Sequence, residues 1–274
     1  MSLKLYKGFT LISARSTWQQ NLLLLAGLLF VFPPAVSANN APSPVLRVCI
    51  ADQDVPPFSY AHSESQVQQA LRAAARRHGW QVDYRVRPWL RCQVELSAGK
   101  FDALIPIAPA EHNLQAFVFP MRDGKPDPSR ALGAVRAVAA RQVGSGANWD
   151  GQQFSGVQGP VIYLQGMQAL SEQFTHAGVA AASTRTSVDM VRMLLAGRTN
   201  LVVDVEPRLR RTLEAAGASE RVQILPQVVL ERDVYLAVSP PFYRQHKGFV
   251  EGIWRETAGA DMQAGDAGPL AGPE

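Results

Sequence analysis

The sequence predicts an α/β protein of two lobes, each a mostly parallel sheet flanked by helices, with the chain crossing twice between them. Three observations carry this expectation. Residues 45–107 alternate strand, helix, strand, helix, strand in their hydrophobic period, the pattern of parallel strands covered by helices. A second block of similar alternation covers 161–225. A long apolar segment, 131–141, separates the blocks and another, 233–238, follows the second; these are the candidate crossover strands and hinge. At 274 residues the chain is also longer than one small core usually organises.

Each element has its own warrant. Residues 45–51 (VLRVCIA) form a short β-rich run. Pro56-Pro57 then ends regular structure and makes 52–60 a loop. Val67, Ala70, Leu71, Ala74 and Ala75 recur at helical spacing over 66–78, and Gly79 supplies a C-terminal stop. Residues 81–87 alternate as a strand, 90–98 read as a helix stopped by Gly99, and 101–107 as a third strand. Residues 121–130 and 144–151 are loops by composition. In the second block, strands are expected at 161–164 and 201–205, helices at 169–177, 187–195 and 207–216, and an extended segment at 222–225. A strand at 233–238 and an amphipathic helix at 242–257 close the fold; from Ala258 onward the chain is Gly/Ala-rich and is expected to be disordered.

The first forty residues read as an export signal. Lys4, Lys7 and Arg15 precede an apolar run, 22–32, which is shorter than the about 20 residues a spanning helix needs. Pro33-Pro34 ends the run, and Val36-Ser37-Ala38 offers small residues for cleavage after Ala38. A periplasmic location follows from this reading. The formal charge of +4 belongs largely to that segment, so the mature chain carries no basic stripe for nucleic acid. Arg208, Arg210 and Arg211 form the nearest cluster and read as a solvated helix face. The five histidines, His62, His78, His112, His176 and His246, are scattered without ligand spacing, so neither a metal nor a cofactor is expected. Cys49 and Cys92 are the two cysteines; in an oxidising compartment they form either a disulfide or two buried thiols.

Strands of a parallel sheet place their following loops at one edge, where ligands bind. Phe58 and Tyr60 sit on the first such loop, Trp89 and Arg91 at the start of a helix from the same edge, and Ala108 and Asn113 beyond the third strand. In the second block Gln165, Gly166, Met167 and Gln168 supply donors at a helix start. Asp204 ends an apolar strand and is placed either for a cationic group or as a helix N-cap.

Four stretches in fixed order carry a resemblance: VLRVCIADQDVPPFSY (45–60), PWLRCQVELSAGKFDALI (88–105), LLAGRTNLVVDVE (194–206) and ERDVYLAVSP (231–240). Together they resemble the bacterial extracellular solute-binding proteins of the polar-amino-acid type, with the type II periplasmic-binding fold. The resemblance implies a first lobe built from 45–134 and a return segment 235–257, and a second lobe with its crossover over 135–234. It implies lobes that close over a ligand by a hinge motion, and strand neighbours that bring Cys49 beside Cys92. It also implies a binding site that departs from the family. No Arg follows the third strand, where the chain reads Ala108-Pro109-Ala110-Glu111-His112-Asn113, and Gly166-Met167-Gln168 replaces the usual Gly-Thr or Gly-Ser. The usual clamp for an amino-acid carboxylate is therefore absent, while the acid that holds an α-ammonium persists as Asp204.

The expected function is capture of a small polar molecule by a monomer that serves an inner-membrane ABC permease or a sensor, without chemistry on the ligand. Two alternatives accompany it. One is a periplasmic dehydratase on the same scaffold, with Glu111, Asp204 or Glu206 as the acid. The other is a cleft that takes no ligand and serves as a protein partner.

Overall fold

A computed structural model describes residues 42–261; the signal expected over 1–38 lies outside them. The first lobe opens with β1 (Val45–Ala51), α1 (Gln66–Arg77), β2 (Gln81–Arg87), α2 (Trp89–Ser97) and β3 (Ala103–Ile107). β1 lies between β2 and β3 and is parallel to both. Its alternation sends Leu46, Val48 and Ile50 to one face, against Leu71 of α1, and Cys49 to the other, as a period of two requires. Ser65 starts α1 through a capping box: its Oγ accepts from Gln68 N at 3.0 Å, and Gln68 Oε1 accepts from Ser65 N at 3.0 Å. Two orphan amides are satisfied in this way.

The chain continues through α3 (Glu111–Ala116) and a small hairpin of β4 (Met121–Arg122) and β5 (Lys125–Pro126) to the long β6 (Gly133–Gln142). A second hairpin, β7 (Asn148–Trp149) and β8 (Phe154–Ser155), precedes β9 (Val161–Leu164), α4 (Gln168–His176), β10 (Ala181–Thr184), α5 (Ser187–Leu195), β11 (Val202–Val205) and α6 (Glu206–Ala215). The 17-residue β12 (Val222–Val238) and α7 (Pro240–Glu256) follow. The strand order is β10-β9-β11-β6-β12-β3-β1-β2.

Hydrogen bonding is thus continuous across both lobes, because β12 serves each in turn. It pairs antiparallel with β6 from Val222 to Val234, then with β3 from Tyr235 to Val238. The cores remain separate. In the first lobe, Leu46, Leu71 and Trp254 pack on one face of the sheet and Cys92, Leu96 and Leu104 on the other. In the second, Trp149, Leu170 and Phe174 pack on one face and Met190, Leu194 and Leu209 on the other. β6 and β12 run side by side as the two crossover strands.

The extended segment expected at 222–225 and the strand expected at 233–238 are parts of one strand, β12. The strand passes through Pro226 with register shifts between Ile224 and Val228 and between Val228 and Leu230, since a bulge accommodates a residue with no N–H to contribute. The disorder expected from Ala258 is also corrected for residues 258–261, which pack on the first lobe. Gly259 N donates to Ala131 O at 2.8 Å, Asp261 N donates to Leu132 O at 3.1 Å, and Ala260 is buried in the first-lobe core. Small residues there allow close backbone approach; residues 262–274 lie outside the described part.

Cys49 and Cys92 form a disulfide with Cα atoms 5.6 Å apart, which ties β1 to α2. No helix among the described residues is long and apolar enough to cross a membrane.

Candidate functional site

The C-terminal ends of the parallel strands in both lobes converge on one cavity of about 340 Å³. This is the small end of the range for ligand pockets. From the first lobe come Asp52, Gln53 and Val55 after β1, Trp89 and Leu90 at the start of α2, and Ala108 and Asn113 after β3. From the second come Gln165–Leu170, spanning the β9–α4 turn, then Arg185 and Thr186 after β10, and Arg208 of α6. Val135 and Ala137 of β6 and Leu230, Arg232 and Val234 of β12 form the floor between them.

The lobes touch directly around this cavity. The Gly166 carbonyl accepts hydrogen bonds from Trp89 Nε1 at 3.2 Å and Gln93 Nε2 at 3.1 Å. Glu111 N donates to Glu172 Oε1 at 3.0 Å. Arg211 donates to the Tyr60 hydroxyl at 3.1 Å and lies over its ring, 5.2 Å from the centroid. Gly166 has φ +82°, and a Cβ there would lie 2.8 Å from Trp89 Cδ1 and 3.0 Å from Leu90 Cδ2. Both the backbone conformation and the closeness of the opposite lobe therefore require glycine.

Gly166→Val should hold the lobes apart. Strain of about 1–3 kcal/mol in the left-handed region adds to the steric conflict with Trp89, so affinity for any ligand enclosed by both lobes should fall about tenfold or more. Small-angle scattering should show a more extended particle with unchanged circular dichroism. Unaltered scattering and affinity would show that these contacts do not control closure.

The structure brings Trp89, Ala108, Asn113, Gln165, Gly166, Met167 and Gln168 together on the cavity wall. Four other residues singled out in the sequence lie elsewhere. Phe58 is fully buried in the first-lobe core, because Phe58 N and Ser59 N both donate to Val55 O and turn the loop inward. Tyr60 does not line the cavity; it meets Arg211 instead. Arg91 is exposed and its Nε bonds to Glu95 at 2.7 Å; that hydrogen bond holds the Glu95 carboxyl below its usual range. Asp204 is wholly buried behind the wall. It accepts from Ser187 Oγ at 2.7 Å, from Val205 N at 2.7 Å, and from Arg208 Nε at 3.0 and 3.1 Å, with a further bond from Arg208 Nη2.

Arg208 is the largest correction. It is 8% exposed and forms part of the cavity wall, whereas its neighbour Arg210 is exposed and pairs with Glu206 at 2.7 Å. Its spacing of four residues from Asp204, across the start of α6, was the available signal. Arg185 and Arg232 were not singled out. Arg185 is held between the end of β10 and Thr186, whose Oγ1 caps α5 by accepting from Asp189 N. Arg232 stands on β12 opposite Val135. The three acids considered for catalysis, Glu111, Asp204 and Glu206, do not line the cavity; Asp52 is the carboxylate that does.

No protein-family model matches the chain, and no curated protein sequence matches it. Solved structures do. A histidine kinase sensor domain with similarity to periplasmic binding proteins superposes with a TM-score of 0.59 at 17% identity, covering 76% of this chain and 88% of that one. The chain has the type II periplasmic-binding fold. The substrate-binding protein of an amino acid ABC transporter shares this fold, with a TM-score of 0.59, 16% identity and 81% and 95% of the two chains covered. So does an ancestral amino acid-binding protein, AncCDT-1, a precursor of cyclohexadienyl dehydratase, with a TM-score of 0.56, 16% identity and coverage of 77% and 88%. In periplasmic-binding terms, β6 and β12 are the crossovers between lobes and the cavity is the interlobe cleft.

Proposed function

We propose that the protein captures a small solute between its lobes, in the periplasm after cleavage at Ala38, for an inner-membrane ABC permease or a sensor. The observation that carries this reading is a cavity walled by both lobes, with hydrogen bonds from Trp89 and Gln93 to Gly166 joining the lobes beside it. Similar structures include both a transporter's binding protein and a kinase sensor domain, so either partner fits the fold. Trp89, Ala108, Asn113 and the 165–168 turn are the contacts we assign to the solute. The dehydratase reading is the weaker one, because Glu111, Asp204 and Glu206 are all off the cavity wall.

Thermal denaturation of the mature chain against a library of small metabolites tests the proposal. A solute present at 100 times its dissociation constant adds about 2.7 kcal/mol of stability, which raises Tm by about 5–10 °C for a domain of this size. A library with no stabilising member would favour a cleft that serves a protein partner, and turnover of prephenate would favour the enzyme.

A further inference from the structure

Resting on that reading, we infer that the solute is an organic anion: a carboxylate on an apolar body that also carries a hydrogen-bond donor. Four features of the cavity lead to it.

The first is charge. Two guanidiniums, of Arg185 and Arg232, face the cavity beside that of Arg208, whose charge Asp204 balances, against one carboxylate, that of Asp52 on the exposed rim. Neither Arg185 nor Arg232 forms an ion pair among the described residues; Arg232 Nη1 donates only to the Glu231 carbonyl, at 2.9 Å. Guanidiniums without a carboxylate partner are suited to bidentate recognition of one.

The second is the fate of Asp204. An α-ammonium needs a carboxylate with acceptor capacity to spare. Both oxygens of Asp204 are engaged, by Ser187, Val205 N and Arg208, and the side chain is fully buried. The group that could have held a cation instead holds a guanidinium in the wall. A zwitterionic amino acid would therefore find no buried carboxylate for its amine, the one carboxylate on the lining being Asp52 at the exposed rim.

The third is the apolar lining. Val55, Trp89, Ile107, Leu164, Leu230 and Val234 contribute walls with no side-chain acceptor. They favour a hydrocarbon or aromatic body over a polyol or a small inorganic anion.

The fourth is Asn113. It lines the cavity and is 4% exposed. Its Nδ2 donates to Ala108 O at 2.9 Å, which orients the amide, and its Oδ1 is buried without any hydrogen-bond partner. Buried acceptors are rarely left unpaired, so this oxygen calls for a hydroxyl or N–H on the solute.

Isothermal titration calorimetry with one matched set of probes tests the inference. 4-Hydroxyphenylacetate carries all three features; phenylacetate lacks the donor, 4-hydroxyphenylacetamide lacks the charge, and tyramine reverses it. The expected result is binding of 4-hydroxyphenylacetate, with the amide and tyramine at least about tenfold weaker and phenylacetate intermediate. Arg185→Gln with Arg232→Gln, both at exposed positions, should remove the preference for the acid over the amide. Asn113→Leu should bring 4-hydroxyphenylacetate down to the affinity of phenylacetate; if that variant does not fold, Asn113→Ala supplies the same comparison. Tighter binding of tyramine or tyrosine than of the acid would overturn the inference while leaving solute capture intact. Failure of every probe to bind at millimolar concentration would overturn it too, and the metabolite library would then decide separately whether the cleft captures any solute.

Discussion

Asp204→Ala should lower the unfolding free energy by about 3–5 kcal/mol, the range for removing one partner of a buried ion pair. The cost arises from what remains. Arg208 is 8% exposed, and its Nε and Nη2 are directed at the lost carboxylate. Ser187 Oγ and Val205 N lose their acceptor at the same time. The test is a urea midpoint compared with that of the wild type. Asp204→Leu combined with Arg208→Leu should recover much of the loss, since an apolar pair of similar volume is often close to neutral. A change below about 1 kcal/mol in Asp204→Ala, together with lost affinity for the solute, would return Asp204 to the role of a ligand-binding acid.

Replacing Cys49 and Cys92 by alanine should cost about 4 kcal/mol. The cysteines are 43 residues apart, and the chain-entropy relation for a loop of that length predicts this magnitude. The effect should reach the cleft as well. Cys49 precedes the wall residues Asp52 and Gln53, and Cys92 follows Trp89 and Leu90 in α2. The bond therefore holds together two segments of the first-lobe wall. Denaturant unfolding with and without reductant measures the stability term, and solute affinity of the double variant measures the second. Both cysteines are fully buried, so reductant alone should act slowly on the native protein. Two free thiols in the denatured, unreduced chain would contradict the bond.

Much of the fold was legible in the sequence because its signals are local. The 3.6-residue apolar period of α1, the positive-φ glycines Gly79, Gly99 and Gly197 that follow helices, and the alternation of β1 each report one element's buried face. The placement of Trp89, Asn113 and 165–168 at strand ends follows from the same logic, since loops after parallel strands share an edge.

The misplacements have the opposite character. Phe58 and Tyr60 are two residues apart on one loop, yet the first is in the core and the second meets the other lobe; composition carries nothing that separates them. In the sequence Asp204 reads as an acid for a cationic group or a helix N-cap, and Arg208 as part of a solvated basic face. They became a buried pair because α6 starts directly at the end of β11 and four residues of helix turn the guanidinium back onto the carboxylate. Arg185 and Arg232 reach one cavity from segments 47 positions apart in number. Periodicity tells a side chain which way to face relative to its own backbone. Which charge it meets there depends on how distant strands are registered, and a linear pattern does not contain that information.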